Sequence, residues 1–148
     1  MEQPDPEQVT SLVEQYHACW SDADVQGMME CCHEDFSLFL NAAGPGGGPI
    51  RLFGKPDVSA FLLPIAEVAE SKTVPLRLSY RDGVMRTQVD ATVRHRATGH
   101  TLRCTYRQVI QFYGPKLIAS EEFHDAAMMR AFWEMVASDT AFRGQGPT

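Results

Sequence analysis

No apolar run in the chain approaches the roughly 20 residues that a membrane-spanning helix requires, and its start, MEQPDPEQ, has neither the basic cluster nor the apolar core of a signal peptide. A soluble cytoplasmic protein is expected. Positive charge is also scarce: 13 Lys and Arg stand against 19 Asp and Glu, for a net charge of -6. The arginines that do occur, such as Arg94, Arg96, Arg103 and Arg107, are spread along segments of strand character, so no nucleic-acid partner is expected. Cysteine is limited to Cys19, Cys31, Cys32 and Cys104, with no C-x-x-C spacing. Two adjacent cysteines make poor disulfide geometry, and all four read as reduced thiols. His33-Glu34-Asp35 has no matching ligand pair elsewhere, so neither a metal nor a cofactor is expected.

What is present is enough for one domain spanning residues 1–148, since 44% of the residues are hydrophobic. Asp5-Pro6 opens a helix whose apolar stripe is Val9, Leu12, Val13, Tyr16 and Trp20. Asp24 caps a second, short helix with Val25, Met28, Met29 and Cys32 on its stripe, ending near His33. Phe36 to Leu40 is apolar on both faces and reads as a covered strand. Residues 42–49, AAGPGGGP, form a loop, expected to be mobile and near the mouth of any cavity. A short extended piece follows at Ile50 to Phe53. From Pro56 a third helix carries Val58, Phe61, Leu62, Ile65 and Val68, with Pro64 expected to kink or interrupt it.

The remainder alternates. Val74 to Tyr80, Val84 to Arg96, Thr101 to Tyr113 and a segment from Lys116 read as strands joined by tight turns at Arg81-Asp82-Gly83, at 97–100 and at Tyr113-Gly114-Pro115. On the second of these, Val89, Ala91 and Val93 share a face. On the third, Leu102, Cys104, Tyr106, Gln108, Ile110 and Phe112 do. Asp125 caps a last helix carrying Met128, Met129, Phe132, Trp133 and Val136, and a loose tail is expected over 139–148. Helices first, a helix midway and then an antiparallel meander predict an α+β fold. A curved antiparallel sheet would wrap the N-terminal helices as a cone filled by side chains or a ligand.

The segment KLIASEEFHDAAMMRAF carries the strongest chemical signal. Strand alternation puts Ser120, Glu122 and His124 on one face and Ala119, Glu121 and Phe123 on the other. If the first face lines a cavity, a carboxylate and an imidazole reach one ligand as an acid/base pair; otherwise they satisfy each other or an arginine. Tyr16 on an apolar stripe is more often a core tyrosine. Trp20, one turn on, walls the core or a cavity. Gln108 is a hydrogen-bonding group on an apolar face and suits orienting a ligand.

The element order, together with VEQYHACWSDADVQGMMECCHEDF and QVIQFYGPKLIASEEFHD, resembles the NTF2-like superfamily over nearly the whole chain to about Val136. Within it the chain is similar to SnoaL-like polyketide cyclases, ketosteroid isomerases and limonene-epoxide hydrolases. The resemblance specifies fold better than function, because the superfamily holds isomerases, hydrolases, cyclases, dehydratases and binding domains. It implies an oxyanion-binding role for Tyr16. The isomerase base falls at Leu40 and the second oxyanion donor at Gln108, so isomerisation by that mechanism is not expected. The Asp-Arg-Asp set of the epoxide hydrolases falls at Val89, Ala91 and Glu122, leaving only the acid. A one-residue bulge would substitute Gln88 and Asp90, against the apolar alternation of that strand.

The resemblance also turns the Glu122 face inward, with Cys104, Tyr106, Gln108 and Ile110 beside it. The candidate catalytic residues are therefore Glu122, His124 and Tyr16. Gln108, Tyr106, Trp20, Leu38, Leu40, Val89, Ala91, Cys104 and Ser120 are the candidate binding residues for a hydrophobic small molecule. Three classes stay open: a cofactor-independent proton-transfer enzyme, a non-catalytic binding domain, and a dimerisation module. A homodimer through Arg103, Thr105, Arg107, Val109 and Gln111 is expected from the resembling folds.

Overall fold

Helix α1 (Pro6–Ser21) begins where expected, with the Asp5 carboxylate accepting from the Glu7 amide and Pro6 at a position that has no N–H to lose. The computed structural model describes residues 4–43 and 48–144. Val9, Val13 and Tyr16 of the predicted stripe are buried, and so is His17 beside them. Asp24 caps α2 (Val25–Glu30) through the Gly27 amide at 2.9 Å.

The second helix stops at Glu30, short of the expected His33, because strand β1 (Cys32–Leu40) already starts at Cys32. The chain is drawn out of the helix by pairing: the Leu117 amide donates to the Cys31 carbonyl, and Cys32 stands opposite Leu117. After β2 (Ile50–Phe53), helix α3 (Lys55–Val68) runs through Pro64 without interruption. Ala60 and Pro64 are both exposed, so water can take the carbonyl that the proline ring leaves without a donor.

Strand β3 (Ala69–Arg81) starts five residues before the expected Val74. Its first half hides polar side chains, Ser71 and Thr73, while Glu70 and Lys72 face water, so it carries no apolar alternation to mark it as strand. Tertiary bonds hold it: the Ser21 hydroxyl accepts from the Thr73 amide at 3.0 Å, and the Lys72 ammonium donates to the Ser21 carbonyl. Strands β4 (Val84–His95), β5 (Thr101–Tyr113) and β6 (Lys116–Phe123) complete the meander. Asp125 caps α4 (Ala126–Gly144) through the Met128 amide. That helix continues to Gly144, through the first part of the segment expected to be loose. The loop residues 44–47, expected to be mobile, lie outside the described residues.

The six strands form one curled sheet in the order β2-β1-β6-β5-β4-β3. Every neighbouring pair is antiparallel except β1 and β6, which run parallel, so the sheet is mixed rather than wholly antiparallel. That parallel pair sets the end of β1 beside the end of β6, with Leu40 opposite Glu122. Val13, Met28, Phe36, Leu38, Val58, Ile110 and Leu117 fill the closed part of the cone. Helix α4 packs Phe132, Trp133 and Val136 against Leu102 over another part of the concave face. Each such side chain taken fully from water contributes about 1.5–3 kcal/mol. Between these two clusters the packing leaves a space.

Candidate active site

That space is a cavity of about 100 Å³. Its wall is largely apolar: Trp20, Leu38, Leu40, Phe61, Ile65, Val93 and Trp133 come from five different elements. Against them stand Glu122, His124, Tyr16, Tyr106, Cys104 and His17. Of the residues singled out from the sequence, Tyr16, Trp20, Leu38, Leu40, Ala91, Cys104, Tyr106, Glu122 and His124 line it together. Gln108, Ser120 and Val89 do not. They are buried, at 1%, 1% and 0% exposure, behind the wall.

Glu122 and His124 are joined directly, His124 Nε2 lying 2.9 Å from Glu122 Oε1 with side chains 8% and 13% exposed for His and Glu respectively. Their spacing on one strand face would allow each to meet a ligand separately; here the imidazole turns back onto the carboxylate. Asn41 fixes the backbone beneath them. Its side-chain amide donates to the His124 carbonyl at 2.9 Å and accepts from the His124 amide at 2.7 Å, while the Asn41 amide donates to the Glu122 carbonyl. A side chain thus continues the β1–β6 pairing past the end of both strands. Tyr106 stacks on the imidazole, with ring centroids 4.2 Å apart.

The ionisation of His124 follows from competing effects. Burial pulls its proton affinity down, but Cys104 and the Glu122 carboxylate favour the imidazolium more strongly and raise the pKa to about 9. The contribution of Glu122 rests on the 2.9 Å contact. That of Cys104 rests on nearness, because His124 Nδ1 is buried with no hydrogen-bond partner of proper geometry.

His17, which the sequence reading passed over, is driven the other way. Burial lowers its pKa, outweighing the hydrogen bond to Gln108 and the Glu122 charge that favour the proton. Its Nδ1 lies 2.8 Å from the Thr73 hydroxyl and its Nε2 2.7 Å from Gln108 Oε1, while Gln108 Nε2 donates to the Ser120 hydroxyl at 2.9 Å. A neutral imidazole satisfies this chain fully, donating from Nε2 and accepting at Nδ1. Gln108 is therefore a strut between His17 and Ser120, with both ends of its amide engaged.

Two imidazoles in one cavity are thus pushed apart in ionisation, which is the condition for separate acid and base roles. Burial foremost, with smaller effects of Cys32 and Glu122, holds the Tyr16 phenol well above its usual range. Tyr106 is held up likewise by burial and then by Glu122. Both remain protonated donors. The Tyr16 hydroxyl takes no hydrogen bond from the described residues and lines the cavity. Among those residues no group of His, Cys, Asp and Glu is arranged to hold a metal ion.

Neither a family profile nor a curated protein matches this chain. Solved structures do. An NTF2-like protein of unknown function from Burkholderia pseudomallei superposes with a TM-score of 0.75 at 16% identity, covering 84% of this chain and 96% of that one. The chain has the NTF2-like fold. An LEH-like epoxide hydrolase of M. tuberculosis matches with a TM-score of 0.71 at 11% identity, over 93% of this chain and 99% of that one. TerC, co-crystallised with polyporic acid, matches at 0.72 and 16% identity, over 86% and 98%. Identities this low establish the NTF2-like fold and leave the chemistry to the side chains in the cone.

Signals for the residues missed were weak. His17 sits in YHACW four residues after Val13, at the edge of the apolar stripe, and that spacing was its one signal; β3 arriving across the helix gives it Thr73 as a partner. Asn41 read only as the last alternating residue of a strand. Its role depends on the parallel β1–β6 joint, which has no local pattern.

Proposed function

We propose that this chain is a small cofactor-independent enzyme that moves a proton on an apolar, oxygen-bearing small molecule, with Glu122 and His124 as the acid/base pair. The observation that supports it most is the buried 2.9 Å contact between these two side chains at the wall of an apolar cavity. With His124 holding its proton up to about pH 9, Glu122 is the base at neutral pH. Its Oε1 is engaged by His124, which leaves Oε2 for the substrate. The Tyr16 phenol, protonated and without a hydrogen bond among the described residues, suits the oxygen on which charge develops. Gln108 acts at one remove, by holding His17.

Size narrows the substrate. About 100 Å³ is well below the ~300–1,000 Å³ of drug-sized sites, so the occupant is on the scale of a single ring or a short chain. A non-catalytic binding domain is favoured by one feature: His17, Gln108, Thr73 and Ser120 already satisfy one another and ask nothing of a ligand. Glu122→Gln separates the two readings, because it keeps the shape and removes the base. On the molecule found bound by native mass spectrometry of the purified chain, turnover should fall by about 100-fold with affinity little changed. His124→Gln should fall less if the imidazole only orients the carboxylate. Unchanged turnover in Glu122→Gln, or no turnover by either form, leaves the binding domain.

A further inference from the structure

The proton-transfer reading leaves one cavity thiol and one imidazole nitrogen without a role. Cys104 stands on β5 two residues before Tyr106, on the same face, and lines the cavity. Tyr106 stacks on His124, which brings the imidazole over that face. His124 is 92% buried by side chain, its Nε2 is taken by Glu122, and its Nδ1 is buried with no hydrogen-bond partner among the described residues. Nucleophile, base and orienting acid are the three parts of a Cys-His-Glu arrangement.

We propose that Cys104, His124 and Glu122 form a nucleophilic triad that adds covalently to a small apolar α,β-unsaturated carbonyl compound. The proposal rests on the reading of Glu122 and His124 as a working pair and names the substrate class they serve. The reacting form is the Cys104 thiolate beside the His124 imidazolium, whose Nδ1 carries the proton the thiol has given up and whose Nε2–H stays on Glu122. The sulfur then forms a bond to the β-carbon of the substrate, and the alkene electron pair moves to the carbonyl oxygen, where the Tyr16 hydroxyl donates. The imidazolium returns the proton to the α-carbon, and the product is a thioether. No leaving group, water or oxidant enters, which suits a dry wall better than acyl transfer would. The same steps in reverse release the compound, and rotation about the former double bond before release exchanges its cis and trans forms.

The surroundings single out this thiol. Among the described cysteines Cys104 alone lines the cavity, on the strand face that carries Tyr106 and the imidazole stacked on it. The other cysteines are set against ionisation. Burial raises Cys32 to about 12 and raises Cys31 as well. Cys19 is raised by burial and then by Asp24, Asp22 and Glu30.

Cyclohex-2-enone, a single-ring probe, should give one adduct by intact mass, mapped by peptide mass spectrometry to Cys104 and absent in Cys104→Ser. The rate of adduct formation should fall by roughly tenfold or more in both His124→Gln and Glu122→Gln. Should His124→Gln fail to fold, Glu122→Gln makes the same comparison in a shape-preserving variant. First modification at Cys19, no adduct at all, or equal rates in the folded variants and the parent would overturn the triad. Adduct formation is read without turnover, so its failure is distinct from that of the proton-transfer reading: a chain that labels at Cys104 yet converts nothing loses only the latter.

Discussion

At the scale of the residue, His124 links the site to stability. A group whose folded pKa is raised contributes stability in full below its unfolded value, near 6.5, and loses it as pH rises through the folded value. For His124 that window runs from about 6.5 to about 9. The ionisable groups around it are Glu122 near the end of β6, Cys104 and Tyr106 on β5, and Tyr16 and His17 on α1; α3 and α4 present only apolar side chains to the cavity. The urea midpoint of the chain should therefore decline between pH 6.5 and 9.5, and His124→Gln should flatten that decline. A midpoint that is level in the parent chain would contradict the buried ion pair. Alternation on one strand was enough to place Glu122 and His124 on a common face. It could not show that the imidazole would fold back onto the carboxylate, because a χ angle leaves no trace in a strand pattern.

Elements were legible where pattern and burial coincide. The stripe of α1, the caps at Asp5, Asp24 and Asp125, and the turns of the meander all follow from local chemistry, and they stand in the structure. The departures at β1 and β3 share one cause, which is long-range pairing overriding a local signal. Strand β1 takes Cys32 from the helix because Leu117 pairs there, and β3 takes Ser71 and Thr73 because α1 supplies Ser21 and His17 as partners. Pro64 looked like a break, yet the exposed face of α3 tolerates a missing donor. The same blindness hid Asn41 and His17: each acquires its role only when a distant segment arrives beside it. Gln108 was legible as a polar group on an apolar face, but whether it meets a ligand or a neighbouring side chain is decided by what packs behind the wall.

For the whole molecule, the concave face of the sheet is committed to the core and cavity, which leaves the convex face. There Arg103, Thr105, Arg107 and Gln111 are exposed on β5, and Val74 and Leu76 of β3 stay 55% and 41% exposed. We expect a homodimer across this face, with a mixed polar and apolar interface. Light scattering at micromolar concentration should return twice the 16.5 kDa chain mass, and a monomeric mass would remove the dimer.

The central claim is that Glu122 and His124 act as one coupled acid/base pair inside the cone, and the ionisation of His124 tests it most directly. A ¹⁵N NMR titration of the imidazole should find it protonated to about pH 9 in the parent chain. In Glu122→Gln the midpoint should fall by ~1 unit or more as the opposite charge is lost. A parent His124 that titrates near 6.5, or one that Glu122→Gln leaves unmoved, would contradict the pair and the function built on it.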